Sequence, residues 1–300
     1  MQKNTIDLSI IIVSYNTKDI LLACLSSVYA NSPKQYGFEV IVVDNASTDG
    51  SIEAIQDKSK LKIIQNKENL GFSKANNIGV KASSGRYVLF LNSDTVMQVD
   101  TLDFMVLFME KHSGVGIATC RVVMPNNEID DASHRGFPTP WNAFCHFSGL
   151  ARIFPKSKIF SGYSIGWEDM SKTHEIDACA GAFMLVRREV GEEVNWWDED
   201  YFWYGEDLDF CYRVKKNAWK VYYVPDVSIL HYKGVSGGIK DISKHLTTAD
   251  KETKIRATQA RFEAMKLFYN KHYISRYPRF VTWFVMEGIN LKNRLTLGSL

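Results

Sequence analysis

Two side chains that carry oxygen, Asn92 and Asp94, follow the apolar run at residues 87–91, with Ser93 between them. A continuous apolar run is typical of a strand buried on both faces of a parallel sheet, and ligands bind at the carboxyl ends of such strands. Amide and carboxylate oxygens on one side of a strand suit a hard divalent cation that also holds phosphate oxygens. The alternative is a strand that ends in an ordinary Asx turn. The sequence therefore makes Asp94 a candidate metal ligand.

A further acid, Asp44, follows the apolar run at residues 38–43. An acid at a strand end commonly accepts hydrogen bonds from ribose hydroxyls or from a base, although the Asn, Ser, Thr and Gly residues around it favour a plain turn equally well. The glycine fingerprints of the dinucleotide-binding and P-loop proteins are absent from the sequence. A bound nucleotide would therefore need another means of holding its diphosphate, and a cation on Asp94 provides one.

Six carboxylates and six aromatic side chains lie together at residues 196–209. Aromatic faces beside acids suit sugar rings, whose C–H bonds lie on the ring face while their hydroxyls bond to the acids. Glu206 and Asp207 begin a predicted helix, and a carboxylate crowded by others, such as Asp207, is a reasonable general base for a hydroxyl group. The alternative is an amphipathic surface loop whose aromatic residues belong to the core.

His231 follows an apolar run and precedes a glycine-rich stretch at residues 233–238. Its imidazole could complete a metal site or donate to a phosphate, although a single histidine near a strand end is more often structural. The other histidines and the cysteines show no metal-ligand spacing, and the GxSxG motif of serine hydrolases is absent.

Alternating strand and helix patterns position these groups, and they predict an open, largely parallel sheet with helices on both faces. Asn16, Ser73 and Asp100 are predicted N-caps. Proline residues break the pattern between residues 124 and 174, which predicts an irregular segment over the site. Strands are predicted at 8–13, 38–43, 61–64, 87–91, 115–120, 178–187 and 221–224, the last stopped by Pro225, and helices at 16–30, 52–56, 73–80, 100–109, 206–216 and from 251 onward.

Length and composition set the outer bounds. The 300 residues suit one large domain, or one domain with an extension, and 45% hydrophobic residues provide a sizeable core. No apolar run is long enough to cross a bilayer, and the amino terminus lacks a signal peptide's apolar region. The odd number of cysteines, five, predicts reduced thiols in a cytoplasmic protein.

Residues 251–300 hold 10 Lys and Arg but only 3 Asp and Glu, whereas the rest of the chain is acidic. The basic residues are interleaved with aromatic ones, which predicts a helix lying on the inner face of the cell membrane and binding it weakly. The alternative is that these aromatic residues pack on the catalytic domain or against a second subunit.

Several of these stretches, in this order, resemble the inverting nucleotide-sugar glycosyltransferases of family 2, which have the GT-A fold. Within the family the chain looks most like the rhamnosyltransferase-like enzymes of bacterial surface-polysaccharide assembly. The resemblance extends over roughly residues 8–238 but leaves out residues 125–175. The matching stretches are residues 9–16, 43–51, 69–79, 91–94, 181–188, 202–213 and His231.

The resemblance implies a GT-A fold with an open, mixed, mostly parallel sheet and a C-terminal helical extension. The catalytic domain would span residues 1–240, with a nucleotide-binding half at 1–120 and an acceptor-binding half at 121–240, and the basic amphipathic extension would span 241–300. The function implied is transfer of a sugar, with inversion, from a nucleoside-diphosphate sugar such as dTDP-rhamnose or a UDP-hexose to a glycan or lipid-linked acceptor. The expected cofactor is Mn²⁺ or Mg²⁺, and a homodimer is a further expectation.

Roles follow from the resemblance residue by residue. Asp94 and His231 would ligate the cation, and Asp207, with Glu206, would deprotonate the acceptor hydroxyl. Because the metal motif has Asn92 in place of its first acid, Asp94 supplies its only carboxylate. Trp203, Tyr204 and Gly181 would contact the acceptor. The nucleotide sugar would be bound by Ser14, Tyr15, Asn16, Asp44, Asn69, Gly71, Asn76, Asn92 and Ser93.

Two other classes compete with this interpretation. A nucleotidyltransferase would need a basic, glycine-rich loop after the first strand to hold a triphosphate, and residues 14–17 provide none. A non-catalytic carbohydrate-binding protein would use the aromatic residues as its platform and would bind sugar without nucleotide.

Overall fold

One mixed sheet organises the chain in this computed structural model, which describes residues 6–55, 60–234 and 251–298. Its strands among the described residues are β1 (Leu8–Ser14), β2 (Phe38–Asp44), β3 (Leu61–Gln65), β4 (Tyr87–Asn92), β5 (Thr95–Met97), β6 (Val115–Val123), β7 (His174–Ile176), β8 (Phe183–Arg187) and β9 (Lys220–His231). The strand order is β3-β2-β1-β4-β8-β6-β9-β5, and β7 pairs with β9. Strands β3, β2, β1 and β4 are parallel to one another, whereas β8 is antiparallel to both β4 and β6.

Helices cover both faces of this sheet. The α-helices among the described residues are α1 (Lys18–Ala30), α2 (Phe72–Lys81), α3 (Thr101–Lys111), α4 (Pro140–Ser148), α5 (Leu150–Ile153), α6 (Arg188–Glu193), α7 (Glu206–Lys216), α8 (Lys251–His272) and α9 (Arg279–Leu297). Because successive side chains of a strand point to opposite faces, Ile10 and Ile12 pack in one core with α1 and α3, while Ile11 packs in a second core with α2 and α7. The predicted open sheet with helices on both faces is confirmed.

Strand register brings the predicted polar residues to one edge of the sheet. Ser14 is paired with Asp44, and Val13 is paired with Asn92, so β1, β2 and β4 end at the same level. The Asn92 amide donates to the carbonyl of Ala182 (3.2 Å), which places the start of β8 at that edge as well.

Three local predictions were wrong, and a fourth was confirmed in position only. Residues 51–55 form turns rather than the predicted helix, whose last residue, Gln56, lies outside the described residues. Asn16 does not cap α1, because its Oδ1 accepts from the amide of Thr48 (2.8 Å) and Thr17 is the N-cap. Ser73 lies inside α2, whose N-cap is Gly71. Asp100 is the N-cap residue of α3, as predicted, although its side chain makes no cap hydrogen bond and its carboxylate pairs with Lys34 instead (3.0 Å).

Pro225 does not stop β9 as the sequence predicted. The pairing with β6 passes from Cys120–Val224 to Arg121–Ser228, so residues 225–227 form a bulge and the strand continues to His231. A bulge tolerates proline because the missing N–H is not needed for the ladder. The bulge therefore allows His231 to reach the strand pair with Thr95.

The C-terminal extension divides into two helices with different surroundings. The aromatic residues Phe262, Phe268, Tyr269 and Tyr273 are buried. Tyr212 of α7 packs against Phe268 and Tyr273. In α9, by contrast, no residue is buried, and Phe280, Trp283 and Phe284 are 60–65% exposed. The prediction of one interfacial helix is therefore wrong for α8, because the aromatic residues of that helix pack against α7.

Candidate functional site

The end of β2 is tied to the end of β1 by hydrogen bonds. Both carboxylate oxygens of Asp44 accept from Ser47, one from its hydroxyl (2.5 Å) and one from its amide (2.9 Å). Ser47 Oγ in turn accepts from the amide of Asn16 (2.9 Å). These bonds form the turn that the sequence offered as the alternative for Asp44. A carboxylate oxygen has a second lone pair, so the turn orients Asp44 without using all of its acceptor capacity.

The turn at Asn69 and Gly71 connects this edge to the acidic, aromatic stretch at residues 196–209. Asn69 Oδ1 accepts from the Gly71 amide (3.0 Å), and Phe72 N donates to the carbonyl of Phe202 (2.9 Å). Gly71 has φ +83°, and a Cβ there would lie 2.6 Å from the Phe202 carbonyl oxygen. Only glycine permits both the conformation and the close approach. The turn therefore fixes the loop that leads into α7.

Three hydroxyl groups lie in a row below the end of β4. Ser14 Oγ is 3.2 Å from Thr17 Oγ1, which is 3.4 Å from Ser93 Oγ. Tyr15 is 43% exposed beside them. Asn76 is buried and donates its side-chain amide to the carbonyl of Phe72 within α2 (3.0 Å), which is a contact inside the fold.

The prediction that Asp94 and His231 act together rests on sequence positions far apart, and the structure places the two side chains in contact. His231 Nε2 lies 3.2 Å from Asp94 Oδ1, and both residues are buried. His231 Nδ1 is hydrogen-bonded to Asp130 Oδ2 (3.0 Å), and Lys233 forms a short ion pair with the other Asp130 oxygen. The carboxylate of Asp130 therefore fixes the orientation of the imidazole.

Charges in this cluster compensate one another. Burial opposes the charged form of His231, but Asp94 and Asp130 outweigh it and raise the pKa of His231 to about 9. Burial alone would raise the pKa of Asp130, yet His231 and Lys233 hold that pKa well below its usual range. Asp130 is therefore an anion that is paired on both oxygens.

The geometry of Asp94 and His231 fits one divalent cation. Two ligands on such a cation, each at ~2.1 Å and at right angles, are about 3 Å apart, which is close to the separation seen here. His231 Nε2 is buried and faces Asp94, while Nδ1 is held by Asp130. Within the described part of the chain no group of three or more His, Cys, Asp and Glu residues could hold a metal. The protein would thus supply two ligands, and phosphate oxygens or water the rest.

The acidic pair at the start of α7 is held by a residue from the irregular segment. Arg135 Nη2 lies 2.5 Å from Asp207 Oδ2, and Leu208 N donates to Asp207 Oδ1 (2.7 Å). Arg135 is positioned by a backbone bridge to Ala178. Burial works against the guanidinium, but Asp207 and Tyr163 outweigh it and raise the pKa of Arg135. Asp207 is therefore a carboxylate with one fixed cation beside it.

Glu206, the neighbour of Asp207, is in the opposite state. It is 8% exposed, and its Oε2 atom is buried without a hydrogen-bond partner among the described residues. Burial, followed by the charge of Asp207, raises the pKa of Glu206 to about 8. At neutral pH Glu206 therefore holds a proton, which makes its chemistry different from that of a charged carboxylate.

Tyr204 connects the two acidic clusters. Burial, then the charge of Glu206 and, among weaker influences, that of Asp94, raises the pKa of Tyr204, so this phenol lies within electrostatic range of both carboxyl groups. Its ring stacks on that of Trp203, with centroids 5.3 Å apart. Gly181 packs against Phe72, and a Cβ there would lie 3.1 Å from that ring. The structure thus brings the predicted metal, base and acceptor residues to one edge of the sheet.

Sequence reasoning missed Asp130 as a partner of His231 and Arg135 as a partner of Asp207. The two pairs are separated by 101 and 72 residues along the chain. The adjacent His134 and Arg135 stand out among the prolines of the irregular segment, but no local spacing connects either pair.

Comparison with known proteins gives a family and a fold. The family model described as Glycosyl transferase family 2 matches residues 9–194, a stretch that ends before Glu206. Rhamnosyltransferase WbbL of Escherichia coli K12 is 29% identical over 232 residues, which are 74% of this chain and 82% of that protein. The N-acetylglucosaminyl-diphospho-decaprenol L-rhamnosyltransferase of Mycobacterium tuberculosis H37Rv is 26% identical over 228 residues, 72% of this chain and 73% of that protein.

Two solved structures share the fold at low sequence identity. GalNAc-T7 with UDP, GalNAc and Mn²⁺ superimposes with a TM-score of 0.59 at 19% identity, covering 89% of this chain but only 50% of that chain. Residues 1–349 of Staphylococcus aureus TarS with UDP-GlcNAc give 0.56 at 18% identity, covering 97% and 73%. At these identities the likeness shows the fold alone.

Proposed function

Since the chain belongs to glycosyl transferase family 2 and has the predicted GT-A fold, we propose that it transfers a sugar from a nucleoside diphosphate to a hydroxyl group with inversion and with a divalent cation. The observation that carries this proposal is the contact between Asp94 and His231, 3.2 Å apart at the sheet edge that also bears Asp44. A carbohydrate-binding protein has no need of such a pair. The two competing hypotheses, that protein and a nucleotidyltransferase, are not favoured by the family match.

Residues at the edge of the sheet would bind the donor. Asp44, oriented by Ser47, accepts from the nucleoside, and Asp94 with His231 would hold Mn²⁺ or Mg²⁺ on the diphosphate. When bound, such a cation stabilises the negative charge that develops on the leaving diphosphate. Asp130 keeps the Nδ1 side of His231 occupied, so that only Nε2 faces Asp94.

Asp207 would act on the acceptor. Each of its oxygens has one protein donor, from Arg135 or Leu208, and retains a lone pair that can take the acceptor's proton. As Asp207 takes the proton, the oxygen of the acceptor hydroxyl attacks the anomeric carbon from the face opposite the diphosphate. The bond from that carbon to the diphosphate breaks, and the configuration inverts. Glu206 holds its own proton near neutral pH and so adds no second negative charge beside Asp207. Trp203 and Tyr204 would orient the acceptor ring.

The relatives' names support a rhamnosyl donor and a lipid-linked or glycan acceptor in cell-surface polysaccharide synthesis. One is named a rhamnosyltransferase, and the name of the other contains N-acetylglucosaminyl-diphospho-decaprenol. We propose dTDP-rhamnose as the first donor to test and UDP-hexoses as the second.

Helix α9 is the part of the C-terminal extension that suits membrane contact on the cytoplasmic side. Its exposed apolar side chains accompany Arg279, Lys292 and Arg294, and an amphipathic, basic helix of this kind lies in the interface. The described residues include no helix that is both long and apolar enough to span a bilayer. The proposed association is therefore peripheral.

A donor screen tests the proposed function without knowledge of the acceptor. The full chain is incubated with a panel of nucleotide sugars and Mn²⁺, and slow release of nucleoside diphosphate is measured. We expect one donor to be hydrolysed and that hydrolysis to stop with EDTA. If no nucleotide sugar is hydrolysed and none raises the Tm of the protein, the proposed function is wrong.

A further inference from the structure

Helix α4 exposes the side chains that a helix normally buries. Trp141, Phe144 and Phe147 are 48–56% exposed, and the buried contact on this helix is made by Cys145. Amphipathic helices of folded domains point their apolar face toward the core. Aromatic side chains on the outward face thus mark a surface that is covered by something else.

The following loop extends this surface. The ring of Trp141 packs at a tilt against Phe144 (5.8 Å between centroids) and Phe160 (6.2 Å). Phe160 in turn contacts Phe154 (5.2 Å). Trp141 Nε1 also donates to the carbonyl of Ile159 (2.8 Å), which ties the loop to the helix. The exposed apolar side chains of this aromatic segment, defined as residues 136–163, are Trp141, Phe144, Phe147, Ile153, Phe154 and Ile159.

The charge of the aromatic segment has one sign. No Asp or Glu occurs between Asp131 and Glu168 in the sequence, whereas Arg152, Lys156 and Lys158 are all exposed. Phenylalanine and tryptophan side chains enter the boundary between headgroups and acyl chains, and lysine and arginine beside them attract anionic headgroups. A protein partner of ordinary composition would not require both features in the same 20 residues.

The base of the aromatic segment lies at the acceptor side of the site. Gly136 N donates to the carbonyl of Tyr163 (2.9 Å), which closes the segment where it leaves and returns. A Cβ on Gly136 would lie 1.9 Å from the Gly162 carbonyl oxygen, so this closure depends on glycine. Arg135, directly before the base, pairs with Asp207, and Tyr163 helps to raise the pKa of Arg135. Whatever holds the aromatic segment is thereby held near the acidic pair.

We propose that the aromatic segment docks on an anionic lipid bilayer and so positions Asp207 at the membrane surface, where the saccharide of a lipid-linked acceptor lies. The choice of acceptor rests on the proposed function, whereas the docking itself does not. The segment is separate from α9, and the two surfaces make different predictions for variants.

Flotation of the full chain with vesicles tests the docking. The vesicles contain phosphatidylcholine, with or without about 30 mol% of the anionic lipid phosphatidylglycerol. We expect the wild type to float with the anionic vesicles at low salt and to be released by high salt, because the electrostatic part is screened. The variant Phe144→Glu/Phe147→Glu should lower the partition coefficient by ~10-fold or more.

Two matched variants make the result specific. Val99→Glu/Phe104→Glu changes two exposed apolar residues on and before α3 in the same way and should float like the wild type. Trp283→Ala/Phe284→Ala in α9 measures the contribution of the C-terminal helix separately. Circular dichroism melts of all variants exclude unfolding as the cause. If Phe144→Glu/Phe147→Glu floats as well as the wild type, the proposal is wrong.

A fluorescence measurement locates the contact. In vesicles with brominated acyl chains, the fluorescence of Trp141 should be quenched. The Trp141→Phe variant should lack that part of the quenching but should still float with the vesicles. Donor hydrolysis in solution should be the same in all docking variants, so a failure of the docking proposal is distinct from a failure of the proposed function. If sedimentation instead shows a dimer that Phe144→Glu/Phe147→Glu dissociates, a second copy covers the surface and the proposal is overturned.

Discussion

The two acidic clusters of the site handle charge differently. Around Asp94 and Asp130, each carboxylate faces a cation, since His231 contacts both and Lys233 pairs with Asp130. At the start of α7, Arg135 pairs with Asp207, and Glu206 keeps its proton because burial, and then the charge of Asp207, opposes its ionisation. The first cluster therefore pairs its charges, whereas the second keeps one carboxyl group neutral.

The backbone explains part of this difference. Asp94 and His231 lie at the ends of paired strands, and Thr95 is in register with His231. Asp207 lies in the first turn of α7, where the unpaired amides of the helix favour a negative charge. Glu206 is turned into the protein, where burial opposes its charge more strongly than the helix favours it. The two acids lie in the same helical turn, but only Glu206 points into the protein.

The largest effect is expected at the first cluster. Asp94→Ala should reduce sugar transfer to the background of the assay with the fold intact, because the cation on the diphosphate then loses the only carboxylate among its two proposed protein ligands. Initial rates at saturating Mn²⁺ provide the measurement. Asp100→Ala, which changes an exposed acid close by in the sequence, should keep wild-type rates. Wild-type turnover by Asp94→Ala would refute its role.

At the second cluster, Asp207→Asn should lower turnover by ~10²–10⁴-fold, the usual contribution of a positioned base, while the donor's affinity changes little. The comparison is sharpest when turnover and donor Kd are measured on the same preparation. Asp200→Asn, at an acid that is 69% exposed on its side chain, is the control. A variant that loses affinity but keeps turnover would make Asp207 a binding residue.

A smaller effect is expected when the support of the first cluster is removed. Asp130→Asn should weaken Mn²⁺ binding by ~10–100-fold, because a hydrogen-bonded carboxylate orients a ligating histidine and increases its basicity. Calorimetric titration with Mn²⁺ measures this without any turnover, and His231→Ala should weaken binding at least as much. The neighbouring Asp131→Asn, at an exposed acid, should bind normally. Equal titrations of Asp130→Asn and wild type would refute the support by Asp130, and an unchanged titration of His231→Ala would return His231 to a structural role.

The smallest effect concerns stability at the second cluster. A carboxyl group whose pKa is raised on folding, as that of Glu206 is, binds more protons in the folded state, so its contribution to stability falls as the pH rises from about 4.5 to about 8. Glu206→Gln should therefore raise the Tm by ~2–4 °C at pH 8 and less at pH 5. Thermal melts across this range measure the difference. Parallel curves for Glu206→Gln and wild type would show that Glu206 is charged throughout, and Glu192→Gln serves as the exposed control.

Much of the first cluster was predictable because strand ends are local features of the sequence. The apolar runs before Asp44 and Asn92 gave the strands, and parallel pairing brings their carboxyl ends to one edge. The family resemblance added the pairing of Asp94 with His231. The odd number of cysteines predicted reduced thiols, and in the structure all five are buried and free.

Only the tertiary structure decided which partners hold these acids and which aromatic residues face outward. Asp130 and His231, or Arg135 and Asp207, meet because strands and a closed segment bring distant residues together, and no spacing in the sequence encodes such a contact. The aromatic residues of α4, α8 and α9 have similar composition, yet those of α8 pack against Tyr212 while many of the others remain exposed. Composition indicates that burying such side chains is favourable, but the shape of the neighbouring surface determines whether they pack against protein or stay exposed to another phase.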